Sequence, residues 1–213
     1  MTPKLQVAFD FKYLKKALEI ANLIYSPKIW LEVGTPLIKS EGIRAIYKFR
    51  EEFPKATIVA DMKTMDAGGI ETELASSVGA NIVSICGAAS DQTIREALQV
   101  ARSYQTKIMT DLIGVKDLLR RAIELERIGT SYICLHSGID VQKKGERVIK
   151  KLEEIREISS SVKIPIAIAG GICAGDVQKL LDAGAKIIVV GSAITKSSDP
   201  KGAVEEILRV IEK

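Results

Sequence analysis

The sequence predicts an α/β chain folded as a single (β/α)8 TIM barrel, and three observations carry that prediction. Eight short apolar runs alternate with longer amphipathic stretches along the 213 residues. Several runs are apolar throughout instead of alternating, the mark of strands covered on both faces. Most runs end in a polar residue or a glycine, and a barrel gathers such ends on one face.

In chain order the runs are Leu5–Phe9, Ile29–Val33, Thr57–Ala60, Ile82–Ile85, Lys107–Leu112, Tyr132–Leu135, Ile164–Ala169 and Lys186–Val190. Helical patterns lie between them, for example Ile70–Val78, Thr93–Ser103, Val115–Ile128, Glu146–Ile158 and Gly175–Ala183. This alternation implies parallel strands joined by right-handed crossovers. Such barrels commonly have about 250 residues, so this one needs short loops. An open doubly wound sheet is the alternative. The stretch Gly79–Val83 recurs as Gly184–Ile188, about half a chain later, as a half-barrel repeat would produce. No linker or composition shift divides the chain, so residues 1–213 read as one catalytic domain.

Composition narrows the function. A 46% hydrophobic content supplies a core, and 27% charged residues suit a soluble surface. No apolar run approaches the roughly 20 residues of a membrane span, and the N-terminus lacks a signal-peptide pattern. The net charge of +4 is spread among acids along helices, and aromatics are only 5%, so neither a basic patch nor a stacking platform for nucleic acid is evident. Cys86, Cys134 and Cys173 are far apart, form no C-x-x-C pair and read as small core hydrophobes. The expectation is a cytoplasmic protein that binds neither nucleic acid nor membrane.

The strand ends carry Asp10, Glu32, Asp61 with Lys63, Asp111, His136, Gly170-Gly171 and Gly191-Ser192. A single acid after a strand can simply cap the next helix. Acids from several strands, a lysine and the only histidine are harder to explain that way. In an extended strand, residues two apart point the same way, so Asp61 and Lys63 both project into the mouth with Met62 behind them. Asp66, in the loop, could reach the same site or a neighbouring subunit. Glu32 and Asp61 put two carboxylates from adjacent strands at one mouth. They either share a hard cation such as Mg²⁺, or leave one acid protonated beside Lys63. His136 is the only histidine, a residue type whose unperturbed pKa suits proton transfer near neutral pH. The glycines in Ala169-Gly170-Gly171 and Gly191-Ser192 let backbone amides approach an anion, which makes a sugar-phosphate site out of the last two strand ends.

Asp61-Met62-Lys63-Thr64-Met65-Asp66 resembles the Asp-x-Lys-x-x-Asp signature of the orotidine-monophosphate-decarboxylase suprafamily, and Asp10 and the glycine-rich ends fit it over nearly the whole chain. Glu32 stands where orotidine decarboxylases carry a lysine, which indicates the magnesium-dependent branch of 3-hexulose-6-phosphate synthases and 3-keto-L-gulonate-6-phosphate decarboxylases. Asp111–Val115 and Leu135–Asp140 are similar to the synthases. The decarboxylases usually have an arginine where this chain has Ile139 and a threonine where it has Ala169. Ser192 replaces a phosphate-binding arginine found in many relatives, which leaves more of the phosphate to backbone amides. The resemblance implies a reversible aldol condensation of formaldehyde with D-ribulose 5-phosphate. Glu32 and Asp61 would hold Mg²⁺, with Mn²⁺ as an alternative. His136 would be the base and Lys63 a charge stabiliser, while Asp10 and Asp66 would orient the substrate. It further implies a homodimer in which Asp66 enters the partner's site. A decarboxylase or related lyase or isomerase, and a non-catalytic phosphate sensor, are the competing readings.

Overall fold

β-Branched apolar runs become strands and the amphipathic stretches become helices in the computed structural model, which describes residues 1–212. The order is β1 (Lys4–Phe9), α1 (Leu14–Ile24), β2 (Ile29–Val33), α2 (Thr35–Glu41), α3 (Arg44–Glu52), β3 (Thr57–Thr64), α4 (Gly68–Ser77), β4 (Ile82–Cys86) and α5 (Asp91–Ser103). It continues with β5 (Lys107–Asp111), α6 (Leu118–Ile128), β6 (Tyr132–His136), α7 (Ile139–Gln142), α8 (Leu152–Ser161), β7 (Ile166–Ala169), α9 (Val177–Asp182), β8 (Ile187–Val190), α10 (Ser192–Thr195) and α11 (Pro200–Ile211). Each strand pairs in parallel with the next, and β8 pairs with β1, so the barrel closes in sequence order. The open-sheet alternative is excluded. Among the described residues, no helix is long and apolar enough to cross a membrane.

Period-two alternation divides the core in two. Ala8, Val59, Ile82, Met109, Cys134, Ala167 and Ile187 face inward and pack together with Trp30 and Tyr132. Their neighbours, including Val7, Leu31, Ile58, Val83, Ile108, Ile133 and Ile188, face outward and are buried under the helices. Both faces of each strand are therefore covered, which accounts for the continuous apolar runs.

The predicted boundaries shift where local chemistry intervenes. β7 begins at Ile166, beyond Pro165, which has no N–H for the ladder. α6 begins at Leu118, because Asp117 Oδ1 accepts the Arg120 N–H at 3.0 Å and caps it. The stretch predicted as helix from Glu146 opens instead as a 3-10 turn at Val148–Lys151 before α8, and a 3-10 turn at Ala174–Asp176 overlaps the start of the one predicted from Gly175, before α9. The recurring Gly-Ala stretch also has a local explanation. Gly79 and Gly184 share φ 103° as the turns that lead into β4 and β8, but Gly129 before β6 has φ 102°. The motif is one way of ending a helix before a strand, used more than twice.

The cysteine reading needs correction. Cys134 is buried in the lumen, but Cys86 is half-buried and Cys173 is exposed. Cys173 lies past the end of β7, where its amide and thiol both donate to Asp176 Oδ2, at 2.9 and 3.0 Å.

Candidate active site

Two residues above the apolar lumen, the inward positions turn polar. Glu32 follows Trp30 on β2, Asp61 follows Val59 on β3, and Ser84 follows Ile82 on β4. Asp111 follows Met109 on β5, and His136 follows Cys134 on β6. This ring lies at the C-terminal ends of the strands.

Asp61 is its centre. Ser84 Oγ donates to Oδ1 at 2.7 Å, Thr35 Oγ1 reaches Oδ2 at 2.7 Å, and Lys63 Nζ lies 2.6 Å from Oδ2. Asp61 and Lys63 thus meet at the mouth, and Met62 packs outward against the helices. The backbone, however, is not a regular strand. The β3–β4 register shifts between Ala60 and Thr64, and Lys63 takes a left-handed φ of 48°. Two β4 side chains hold it there. Ser84 Oγ accepts the Lys63 N–H at 3.0 Å, and Cys86 Sγ donates to its carbonyl at 3.2 Å.

Lys63 Nζ also lies 3.3 Å from Asp111 Oδ2, and the same oxygen is 2.8 Å from His136 Nδ1. The second Asp111 oxygen accepts the Ile113 N–H at 2.9 Å. Burial pushes the Asp111 pKa up, but His136, Lys63 and the Ile113 amide outweigh it and hold the pKa below its ordinary value. An ionised carboxylate only accepts, so Nδ1 of His136 carries the hydrogen of the pair. In the neutral ring Nε2 then keeps its lone pair, and no described residue occupies it. Burial pulls the Lys63 pKa down, but Asp61, Asp111 and Glu32 more than reverse this, and the amine stays charged.

Glu32 is buried and accepts from Gln6 Nε2 at 2.5 Å. Burial, with Asp61 and Asp10 adding to it, pushes its pKa up to about 8. Asp10 reaches the mouth because residue 34 is glycine: a Cβ there would lie 2.2 Å from Asp10 Oδ1. Its pKa is also raised, by burial and then by Asp61, against Lys63, His136 and Lys196. Asp61 and Asp10 therefore press on Glu32, and Asp61 presses on Asp10, while Lys63 pairs with Asp61. That surplus of hard oxygen donors fits a divalent ion. Among the described residues, no three acid, histidine or cysteine side chains converge as a closed metal cage. The pair Glu32 and Asp61 would make an open site.

The predicted phosphate elements lie at the neighbouring strand ends. Gly170 and Gly171 have φ of 121° and 69°, conformations closed to most side chains. Ala169 faces inward just before them, and Gly191 precedes α10, with Ser192 exposed as its first residue. Asp66 does not join the ring within this chain. It is exposed, and its Oδ1 accepts the Ala67 N–H at 2.8 Å.

Sequence reasoning named Asp111 as a strand end but gave it no role, and it missed Gln6, Thr35 and Ser84. The inward parity of Gln6, Ser84 and Asp111 was available as a signal. Thr35 lies past its strand and reaches Asp61 only through the fold.

The sequence matches the Orotidine 5'-phosphate decarboxylase / HUMPS family over residues 3–207. It is 35% identical over 208 residues to a 3-hexulose-6-phosphate synthase of Bacillus subtilis, covering 98% of each chain. The fold superposes on the crystal structure of 3-hexulose-6-phosphate synthase from Salmonella typhimurium with a TM-score of 0.93, 33% identity and 98% of each chain covered. A 3-keto-L-gulonate-6-phosphate decarboxylase from Vibrio cholerae superposes with a TM-score of 0.89 at 26% identity, over 100% of this chain and 98% of that one.

Proposed function

The chain belongs to the orotidine 5'-phosphate decarboxylase / HUMPS family, and from that premise we propose that it catalyses the 3-hexulose-6-phosphate synthase reaction. Formaldehyde and D-ribulose 5-phosphate condense reversibly to D-arabino-3-hexulose 6-phosphate. The observation that carries this reading is the Asp111–His136 pair, which leaves a basic nitrogen over a mouth that already holds a charged lysine.

His136 Nε2 takes a proton from C1 of the ketose, and the electron pair left on the sugar attacks the formaldehyde carbon. The C1–H bond breaks, the new C–C bond forms as the C=O π bond of formaldehyde opens, and the resulting alkoxide oxygen takes the proton back from His136 Nε2. Lys63, kept cationic by Asp61 and Asp111, faces the negative charge as it develops, the usual place for the largest catalytic effect. Asp10 orients sugar hydroxyls from the far side of the mouth. Glu32 and Asp61 would hold Mg²⁺, or Mn²⁺, and the ion when bound supplies Lewis-acidic charge to the ketose oxygens. The amides around Gly170-Gly171 and Gly191-Ser192, with Ala169 beside them, take the phosphate.

The decarboxylase reading is disfavoured by Ile139. It is 67% exposed on α7 and brings no cation to the mouth where such enzymes have an arginine. A homodimer is supported by Met65 and Ile70, which are 55% and 66% exposed beside Asp66. A second copy would close that apolar surface, with Asp66 entering the partner's mouth as the family resemblance implies. We read the enzyme as one catalytic domain working in the cytoplasm, where its proposed sugar-phosphate substrate would be found.

The deciding experiment follows ribulose 5-phosphate consumption with and without formaldehyde, and with and without EDTA. Formaldehyde-dependent loss that EDTA abolishes and Mg²⁺ restores is expected. Turnover independent of formaldehyde would favour the decarboxylase or isomerase reading. Tight sugar-phosphate binding with no turnover under any metal would favour a sensor.

A further inference from the structure

The Gly170-Gly171 turn has two consecutive glycines at positive φ, 121° and 69°, and without side chains of their own they depend on outside contacts to hold one conformation. Both of its carbonyls are tied to the segment after β6. The Val148 N–H donates to Gly170 O at 3.1 Å, and Arg147 Nε donates to Gly171 O at 2.6 Å. In a trans peptide the following N–H points opposite to the carbonyl, and no cis peptide bond is present among the described residues. The N–H groups of Gly171 and Ile172 therefore point away from Arg147 and Val148, and no described residue accepts from either.

Arg147 is itself anchored. Its guanidinium pairs with Asp176 and reaches Cys173 Sγ at 3.5 Å. Asp176 is held ionised: burial opposes this, but the Cys173 amide and thiol and Arg147 prevail. The side chain fits closely, since a Cβ at Gly171 would come within 3.1 Å of Arg147 Cγ. Arg147 is thus a strut between the turn after β7 and the 3-10 turn that follows it.

We propose that Arg147 is a positioning residue for phosphate: it fixes the Gly170-Gly171 turn so that the Gly171 and Ile172 amides are presented to the oxyanion, without touching that oxyanion itself. This rests on the sugar-phosphate reading above. It carries weight because Ser192 offers no cation after β8, and the amides must do more of the work.

Inorganic phosphate titrated by calorimetry tests the strut without relying on turnover. In Arg147→Ala, phosphate affinity is expected to fall about tenfold, the worth of one charge-assisted hydrogen bond. KM for ribulose 5-phosphate should rise by a similar factor, with kcat within about twofold. Arg147→Lys cannot serve Gly171 O and Asp176 together and should recover only part of the loss. Asp176→Asn, which keeps the shape but removes the anchoring charge, should weaken phosphate about threefold, and it carries the test alone if Arg147→Ala fails to fold. Phosphate affinity equal to wild type in either the Arg147→Ala or the Asp176→Asn protein overturns the proposal, as does a fall in kcat with KM unchanged. A wild type inactive toward formaldehyde whose phosphate binding still depends on Arg147 would sink the reaction assignment and leave the strut standing.

Discussion

The two halves of the barrel lumen are built from the same strands and differ in almost everything else. In the lower half, Val59, Ile82, Met109, Cys134, Ala167 and Ile187 pack with Trp30 and Tyr132, whose rings meet edge-on at 5.7 Å. Two residues further along, the inward positions on β3 to β6 are Asp61, Ser84, Asp111 and His136, while β7 and β8 stay apolar with Ala169 and Val189. A step of two residues is about 7 Å, so an apolar floor and a charged mouth share one barrel wall. The floor buries mainly apolar area, with Gln6 as its polar exception, whereas the mouth gathers acids, and there Asp61 pushes the pKa of Glu32 and of Asp10 upward. Substitutions in the mouth should therefore remove activity and spare stability, and substitutions in the floor should do the reverse.

The largest effect is expected at Asp61, which holds Lys63 and is a proposed ion ligand. Asp61→Asn should lower kcat/KM by about a thousandfold or more. The melting temperature should stay within a few degrees of wild type, because a crowded acid has been removed. A cooperative loss of stability matching the loss of activity would break the contrast.

Ile187→Ala tests the floor. The side chain is fully buried, and its removal should cost about 3 kcal/mol by chemical denaturation, as large-to-small changes in tight cores do. At a temperature where the variant is folded, kcat/KM should remain within about threefold of wild type. His136→Asn returns to the mouth: proton exchange at C1 of ribulose 5-phosphate should slow by at least about a hundredfold with little change in melting. An unchanged exchange rate would remove His136 as the base.

How much of this contrast could be read from the sequence follows from where it is encoded. The floor and the outer core are written in local patterns: continuous apolar runs with parity, as in Ile187–Val190, identify both buried faces. The mouth was legible where it sits at a strand end, as with Glu32, Asp61 and His136. It was illegible where the contact crosses elements. Thr35 meets Asp61 from the start of α2, and Arg147 meets Gly171 from beyond α7. The left-handed Lys63 could not be read either, since spacing alone predicts regular extension and the cause lies in Ser84 and Cys86 on the next strand. Asp111 was visible as a strand end, but its role depends on the 2.8 Å approach of His136.

Glu32 gives the contrast a pH signature. Its pKa is about 8 in the fold against 4.5 as its ordinary value. Between those values the folded state binds more protons than the unfolded chain, so stability falls as pH rises through the window. Below 4.5 Glu32 exacts no penalty, and above about 8 the penalty is complete. In EDTA, the wild type should melt about 5 °C lower at pH 8.5 than at pH 6, and Glu32→Gln should flatten that difference. Mg²⁺ should raise the melting temperature of the wild type at pH 8 and leave Glu32→Gln nearly unmoved. Asp111, with its lowered pKa, acts in the opposite direction, and only in acid.

The smallest expected effect lies on the border between the two halves, at Ser84, one inward position above Ile82 on β4. Its hydroxyl accepts the Lys63 N–H at 3.0 Å and donates to Asp61 Oδ1 at 2.7 Å, so one buried oxygen fixes both the strained backbone and the acid beside it. Ser84→Ala extends the apolar floor upward by one position and leaves the Lys63 amide without an acceptor. The cost should be about 1 kcal/mol, the net worth of a buried hydrogen bond less a little relief of the φ 48° conformation at Lys63. Activity should fall about tenfold through kcat, because Lys63 Nζ is no longer held in register with Asp111. Ser84→Thr retains the hydroxyl and should restore most of both quantities. Full activity in Ser84→Ala would mean that Asp61 and Thr35 alone position the lysine, and that the border between floor and mouth lies one layer higher than β4 places it.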